Sequence, residues 1–301
     1  MKIAFITVNF HSDDDTFQVV SELEKNTIPQ GIELVIYVVD NSRSAILKEQ
    51  LQEYPHAKYL ESPGNVGFAR GNNMGLKKAI SDEADIIVLI NNDTVLPRDL
   101  VLNILSSPIT DDNVGVVGGL IYFAKGFEFE NKYSKNDLGK VIWYAGGKYD
   151  WNNVYASHIG VNDVDKGQYK DIQETDFITG CLFITKTDIL KKVGVFDERY
   201  CLYFEDSDLG LRIKNAGFKL LIDPRIKIWH KVAQSSGIGS SLNDYFLTRN
   251  RLVFGMDYAS TRTKLALLRE AVKKLFIGTP AQKTAVSDFF LRRFGWGTWK
   301  K

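Results

Sequence analysis

Three carboxylates stand within four residues in Glu205-Asp206-Ser207-Asp208, directly before the helically spaced apolar positions Leu209, Leu211 and Ile213. Acids at a helix start are favoured by the macrodipole, and a plain helix start is one reading of the run. Three adjacent like charges exceed what one cap requires. Repulsion with partial burial raises the pKa of one of them, which is how a general base is made. Another acid, Asp93, closes Asn91-Asn92-Asp93 after the apolar run Ile86 to Ile90. It reads either as a strand-end turn or as a carboxylate that holds a divalent cation on a nucleotide diphosphate. Mg²⁺ favours one or two carboxylates completed by phosphate oxygens and water. His230 follows Ile226 to Trp229 and is either a satisfied, partly buried side chain or a ligand or base. His11, His56 and His158 have no such company and read as surface residues. No serine or cysteine has the strained-elbow spacing of an acyl-transfer nucleophile.

The run Ser62-Pro-Gly-Asn-Val-Gly-Phe-Ala-Arg-Gly-Asn-Asn-Met-Gly75 places glycine at 64, 67, 71 and 75 ahead of a helix over Leu76 to Ile80. Its spacing matches neither the dinucleotide fingerprint nor the ATPase phosphate loop. Glycines four apart in a helix let a backbone or ligand approach closely, and helix N-terminal amides favour an anion. A tight loop with close helix packing is the alternative.

These residues need elements to hold them. Lys2 to Asn9, Glu33 to Asp40, Ala57 to Glu61 and Ile86 to Asn91 are short β-branched apolar runs, and the segments between them show helical spacing, such as Phe17, Val20 and Leu23. Near-continuous apolar strands alternating with helices suit a sheet covered on both faces. The pattern predicts an α/β fold with a doubly wound, mostly parallel central sheet and a ligand site at the carboxyl ends of its strands. Those ends read Thr7-Val8-Asn9, Asp40-Asn41-Ser42 and Asn91-Asn92-Asp93. After about residue 120 the alternation fails. Phe123 to Asp171 is rich in Gly, Asn, Tyr and Trp and reads as an acceptor-side insertion or a set of irregular strands. Order returns over Glu174 to Thr185, followed by a helix over Thr187 to Val193 and another opening near Glu205. Strands are expected over Phe218 to Ile222 and Ile226 to Trp229, and helices over Asn243 to Met256, Thr263 to Phe276 and Ala281 to Arg293.

With 301 residues, 44% apolar and 25% charged, the chain can bury one large core or two modest ones, which excludes disorder, collagen and coiled coil. Cys181 and Cys201 form neither a disulfide framework nor a zinc spacing, and read as buried thiols in a reducing compartment. The opening MKIAFITVNF has no signal h-region, and no apolar run approaches the roughly 18 residues needed to span a bilayer, so a cytoplasmic protein is expected. The net charge of +1 hides an asymmetry. Residues 262–301 hold ten Lys or Arg against two acids, leaving the first 261 residues at −7. Leu265, Leu268, Val272 and Phe276 repeat at helical spacing among Lys264, Lys273 and Lys274. Phe289, Phe290, Phe294, Trp296 and Trp299 follow, interspersed with Arg292, Arg293, Lys300 and Lys301. Such helices suit an anionic membrane surface, with a packing or dimer helix as the alternative. No recognition motif accompanies the charge, so nucleic acid is not an expected partner.

Together the pieces resemble glycosyltransferase family 2, the inverting GT-A enzymes, and most closely its bacterial rhamnosyltransferase-like members. The resemblance spans about residues 3 to 255. Its motifs are Thr7-Val8-Asn9, Asp40-Asn41-Ser42, the Gly64 to Asn73 run, Asn91-Asn-Asp93, Thr179-Gly180, Val193-Gly-x-Phe-Asp-Glu198, Tyr203-Phe-Glu-Asp-Ser-Asp208, Arg212 and His230. It implies a GT-A catalytic domain over 1–240, with a nucleotide-binding half over 1–120 and an acceptor-side half over 121–240, and a basic helical extension over 241–301. On this footing Thr7, Asn9 and Asp40 would hold the base and ribose. Asn65, Gly67, Arg70 and Asn72, with Asn91 and Asn92, would line the nucleotide-sugar pocket. Asp93 and His230 would coordinate Mg²⁺ or Mn²⁺, Asp206 would deprotonate the acceptor hydroxyl, and Glu205, Asp208 and Gly180 would shape the acceptor side. One departure stands out: Asn91 occupies the first position of the family's Asp-x-Asp, so a single Asp helped by His230 would hold the metal.

The implied reaction moves L-rhamnose from dTDP-rhamnose to a hydroxyl of a lipid-linked glycan, extending a bacterial surface polysaccharide at the inner face of the plasma membrane. A homodimer is compatible with it, and so are UDP-glucose, UDP-galactose and UDP-N-acetylglucosamine as donors. A sugar-nucleotide nucleotidyltransferase is the competing enzyme class, but it would carry a Gly-rich basic loop after the first strand, where Val8-Asn9-Phe10-His11-Ser12 has none. A non-catalytic sugar-binding protein is the third reading, and retention of Asp93, Asp206 and His230 together argues against it.

Overall fold

The first apolar run forms β1 (Lys2–Asn9), buried from Ile3 to Thr7. It leads into α1 (Asp13–Glu24), which opens on three aspartates and turns Val19, Val20 and Leu23 onto the sheet. Then come β2 (Glu33–Asp40), α2 (Ala45–Gln50), β3 (Ala57–Glu61), α3 (Phe68–Ser81) and β4 (Ile86–Ile90). β1 pairs in parallel with β2 and β4, and β2 with β3, so the expected alternation is present in the first ninety residues. The computed structural model describes residues 1–130, 132–232 and 240–299.

α3 begins at Phe68 rather than at Leu76. Gly67, at φ +85°, starts it, and Gly71 and Gly75 lie inside it against Val8 and Ile6 of β1. Glycine weakens a helix on propensity alone, which makes the segment read as a loop. Here the missing Cβ atoms let the helix backbone come down on the strand, and that packing outweighs propensity.

The second half adds β5 (Thr94–Val95), α4 (Leu100–Leu105) and the fully buried β6 (Val114–Phe123). The irregular stretch contains β7 (Ile142–Tyr144), β8 (Gly147–Asp150) and β9 (Tyr155–His158). After it come β10 (Gln173–Glu174), β11 (Leu182–Lys186), α5 (Thr187–Val193), α6 (Glu205–Asn215) and β12 (Lys219–His230). Among the described residues the main sheet runs β10-β12-β6-β11-β4-β1-β2-β3, with β5 on β12 and β7 on β6. It is a mixed, mostly parallel sheet, in which β11 lies antiparallel between β4 and β6. The two strands expected over 218–229 are one strand. Its register slips between Asp223 and Lys227, where Pro224 cannot donate to the ladder.

α7 (Ser241–Tyr258), α8 (Thr261–Ile277) and α9 (Pro280–Phe290) follow, capped by Ser240, Ser260 and Thr279, whose side-chain oxygens each accept a backbone N–H of the first turn. Leu252, Phe254, Leu267, Ala271 and Val286 join the apolar core that the sheet builds. A smaller cluster gathers Cys201, Tyr245, Phe246, Ala281 and Ala285, with Trp296 and Trp299 packed on it. The two tryptophans grouped with a membrane-facing tail are therefore turned inward, while Lys300 and Lys301 lie outside the described residues. No helix among the described residues is long and apolar enough to cross a membrane.

Candidate active site

α6 is entered through a strained approach. Cys201, Tyr203 and Phe204 adopt φ of 65°, 67° and 73°, a region that side-chain-bearing residues rarely occupy. The chain then delivers Glu205 and Asp206 as the first helical residues. Asp206 Oδ2 accepts the Gly180 N–H at 2.9 Å and Oδ1 accepts the Ser207 N–H at 2.6 Å. Burial raises the Asp206 carboxyl above the ordinary range against these bonds. Burial and then the neighbouring Asp206 charge push Glu205 much higher, and its Oε2 has no hydrogen-bond partner among the described residues. Asp208 is placed differently. It is 1% exposed and accepts Arg212 Nε at 2.8 Å and the Tyr258 hydroxyl at 2.6 Å. It is a strut between α6 and α7 and does not face open acceptor space.

Glu205 carries a stability prediction. Its folded pKa lies above its unfolded one, so stability falls as pH rises from the unfolded towards the folded value. Glu205→Gln cannot ionise and should raise the melting temperature near neutral pH by about 2–4 °C for each ~1 kcal/mol recovered. The gain should vanish below about pH 4, where the carboxyl is neutral in both states. Thermal melts at the two pH values check this.

Asp93 and His230, 137 positions apart, meet because β5 pairs with the end of β12, setting Thr94 opposite His230. His230 Nε2 lies 3.0 Å from Asp93 Oδ1, and the Lys231 N–H donates to the Asp93 carbonyl at 2.9 Å. Burial works to raise Asp93, but the His230 charge and hydrogen bond hold it below the usual carboxylate range. For His230, burial disfavours the charged ring, and Cys181 and Asp93 outweigh it and lift the imidazole to about 10. Trp143 packs edge-on against His230 with centroids 4.6 Å apart. The Cys181 carbonyl accepts the Asn91 N–H at 3.1 Å, so the Gly180-Cys181 step joins Asp206 on one side to Asp93 and His230 on the other.

The donor set here is one carboxylate and one imidazole, with the buried Asn91 Oδ1 lacking any hydrogen-bond partner among the described residues. No group of three or more His, Cys, Asp or Glu able to enclose a cation occurs among the described residues. The Asp93 carboxylate fits a hard divalent cation that takes its remaining ligands from phosphate oxygens and water, and His230 would join it as a ligand only on giving up the proton that Asp93 and Cys181 hold on the ring. His158, expected at the surface, is half-buried. Its Nδ1 lies 3.1 Å from the Trp143 carbonyl, and burial drives its pKa down to about 4, so the ring is neutral.

Beyond the carboxyl ends of β1 and β2 a cleft of about 750 Å³ is lined by His11, Ser12, Asp13, Asp14, Asp15, Ser42 and Ser44. Thr7, Asn9 and Asp40 are fully buried, so they support this lining instead of forming it. Asn9 Nδ2 donates to Asp13, Asp40 and Ser42 at 2.8–3.0 Å. Burial works to raise Asp40, but bonds from Ser42, Asn9 and Ser44 hold it low. Asn92 donates to Thr16 Oγ1 at 2.9 Å and ties β4 to α1. At the start of α3, Asn65 Oδ1 accepts the Gly67 N–H at 3.1 Å. The Asn72 amide turns back to the Phe68 carbonyl, and the exposed Arg70 points to Glu198 at 3.8 Å. Neither Arg70 nor Asn72 is brought to the cleft. Asn73 instead pins the following loop through both main-chain groups of Phe196.

Sequence reasoning missed what holds the strained loop. Arg249 and Asn250 on α7 are fully buried. Asn250 Nδ2 donates to the carbonyls of Tyr200, Leu202 and Tyr203 at 2.7–2.9 Å. Arg249 reaches the carbonyls of Arg199, Tyr200 and Gly295. The Cys201 carbonyl accepts the Ala69 N–H of α3, and Trp296 Nε1 donates to the Asn65 carbonyl at 3.1 Å. The tail thus reaches both the loop before Asp206 and the loop before α3. Asn250→Ala should cost about 1–3 kcal/mol, because buried carbonyls lose their donor. It should also lower kcat more than it raises KM. Denaturant melts and steady-state kinetics check it, and unchanged kcat would leave Asn250 a structural role only.

The family model described as glycosyltransferase like family 2 matches residues 2–255. The chain is 23% identical over 237 residues to the rhamnosyltransferase WbbL of Escherichia coli (strain K12), covering 76% of this chain and 83% of that one. It is 22% identical over 212 residues to the N-acetylglucosaminyl-diphospho-decaprenol L-rhamnosyltransferase of Mycobacterium tuberculosis, covering 67% and 68%. The structure is similar to that of GalNAc-T7 solved with UDP, GalNAc and Mn²⁺, at a TM-score of 0.68 and 18% identity over 96% of this chain and 54% of that one. The sheet with its antiparallel insertion is the GT-A fold, and the chain belongs to glycosyltransferase family 2 and is a glycosyltransferase.

Proposed function

We propose that the enzyme transfers a sugar, best read as L-rhamnose from dTDP-rhamnose, to a hydroxyl of a lipid-linked glycan with inversion at the anomeric carbon, at the inner face of the plasma membrane. The observation that carries this reading is the pairing, across Gly180-Cys181, of a half-buried carboxylate with raised pKa, Asp206, and the Asp93–His230 pair. The rhamnosyl donor and the lipid-linked acceptor are supported by what the two relatives are named for.

An acceptor hydroxyl is a poor nucleophile at neutral pH. Asp206 takes its proton as the oxygen attacks the anomeric carbon, and the bond to the diphosphate breaks on the opposite face, the nucleotide leaving with the electron pair. Gly180 N–H orients the Asp206 carboxylate, and the 201–204 loop fixes its helix. Asp93 and His230 would hold Mg²⁺ or Mn²⁺, which when bound neutralises the charge that grows on the leaving group. The acidic cleft near Asp13, Ser42 and Ser44 suits N–H and O–H donors of a base and ribose better than phosphate, which supports a pose with the diphosphate towards Asp93.

The test is donor binding and hydrolysis across dTDP-rhamnose, UDP-glucose, UDP-galactose and UDP-N-acetylglucosamine, with Mg²⁺, with Mn²⁺ and with chelator. Cation-dependent preference for dTDP-rhamnose is expected. Preference for a UDP-sugar would keep the chemistry and reassign the donor, and binding of none would overturn the reading.

A further inference from the structure

We propose that the outward face of α8 is the surface on which this enzyme lies against an anionic lipid bilayer. A membrane-borne acceptor, as proposed above, is what such a surface would serve, and the inference rests on that reading for its purpose. α8 buries Thr263, Leu267 and Ala271, with Leu267 lodged over the bare backbone of Gly255 on α7. The opposite face carries Leu265, Val272 and Phe276, Ile277 ends the helix at its flank, and Phe276 and Ile277 are 75% and 71% exposed. Arg262, Arg269 and Lys273 are interleaved with them at helical spacing and are also exposed.

A face built for water alone would not present Phe276 and Ile277. The acid of this helix, Glu270, is drawn aside to Arg251 at 2.8 Å, so no acid dilutes the charge of the face. A second copy of the chain is a poor occupant, because two-fold pairing of this face sets its cations against the same cations. Anionic headgroups over acyl chains satisfy both halves of the pattern. The chemistry recurs where α9 ends, with Phe290, Leu291, Arg292 and Arg293 exposed. That segment runs directly into Gly295 and Trp296, which touch Arg249 and Asn65. The exposed apolar and basic end of α9 therefore lies a few positions from residues that hold the loops before α6 and α3.

Deleting the tail would strip Trp296 and Trp299 from their cluster, so the test uses surface substitutions in the full chain. Co-sedimentation is measured with vesicles of phosphatidylcholine alone and of phosphatidylcholine with phosphatidylglycerol, beside nucleotide-sugar hydrolysis in solution. The protein should bind the anionic vesicles, less at high salt. Phe276→Ser with Ile277→Ser should lower partitioning by about ten- to a hundredfold. Arg269→Gln with Lys273→Gln should erase the preference for phosphatidylglycerol. Both double variants should hydrolyse donor as the parent does. Failure of the parent to bind anionic vesicles, or equal binding by the Phe276/Ile277 variant, would overturn the docking face while leaving the proposed reaction intact if hydrolysis persists. A parent dimer that the Phe276/Ile277 variant makes monomeric would also overturn it, assigning the face to a second copy.

Discussion

Asp206→Asn is expected to lower turnover by about 10²–10⁴-fold while donor binding stays within a few-fold of the parent. The amide keeps the volume and accepts the Gly180 N–H through its oxygen; the Ser207 N–H loses its partner, a change confined to the first turn of α6. What it loses is the ability to take a proton. The pH profile gives the same prediction a second reading. Burial raises the Asp206 carboxyl, and the base works only when ionised, so kcat/KM should fall on acidification through a pKa above the ordinary aspartate value of about 3.9. That acid limb should be absent from the residual activity of Asp206→Asn. Steady-state rates across pH and calorimetric donor binding provide both readings. Loss of binding in parallel with turnover would assign Asp206 to the donor rather than to proton transfer.

Asp93→Ala should reduce kcat/KM by about 10²–10³-fold, the scale of removing one group that stabilises charge developing in the transition state. The fold should survive. Without the carboxylate, the ring loses one of the two groups that hold it protonated, and burial then favours its neutral form more strongly than in the parent, which limits the charge left inside. The variant should also be indifferent to added Mg²⁺ or Mn²⁺ and to chelator over the range in which the parent responds. Nucleoside diphosphate release with and without chelator is the measurement. Parent-like activity in Asp93→Ala would show that charge on the leaving group is handled elsewhere.

The strands β1, β2 and β4 were legible in the sequence because each is an almost unbroken apolar run ended by polar residues, and a doubly covered sheet demands that pattern. α3 was half legible, since Gly71 and Gly75 weaken the helical signal and serve the contact with β1. Residue type and spacing single out Asp93 and His230 only separately, and the family resemblance alone sets them on one metal. What joins them is the pairing of a two-residue strand with the end of β12, which no local spacing reports. Asp208 looked equivalent to its neighbours until Tyr258, fifty positions on, was seen to occupy it. Arg249 and Asn250 gave no signal. α7 is buried on most of its circumference, so it carries no polar stripe against which two polar side chains would stand out. The inward turn of Trp296 and Trp299 was hidden for a related reason. Aromatic residues among basic ones fit a bilayer surface and a protein core equally well until the partners Tyr245 and Phe246 are in view.

Single displacement by a hydroxyl that Asp206 activates is tested most directly by the anomeric configuration of the sugar first released. Water serves as acceptor when donor is hydrolysed, and proton NMR can follow the product at enzyme concentrations high enough for release to outpace mutarotation. The configuration opposite to that of the nucleotide sugar is the predicted result. Retention of the donor's configuration would contradict a one-step reaction with Asp206 as its base.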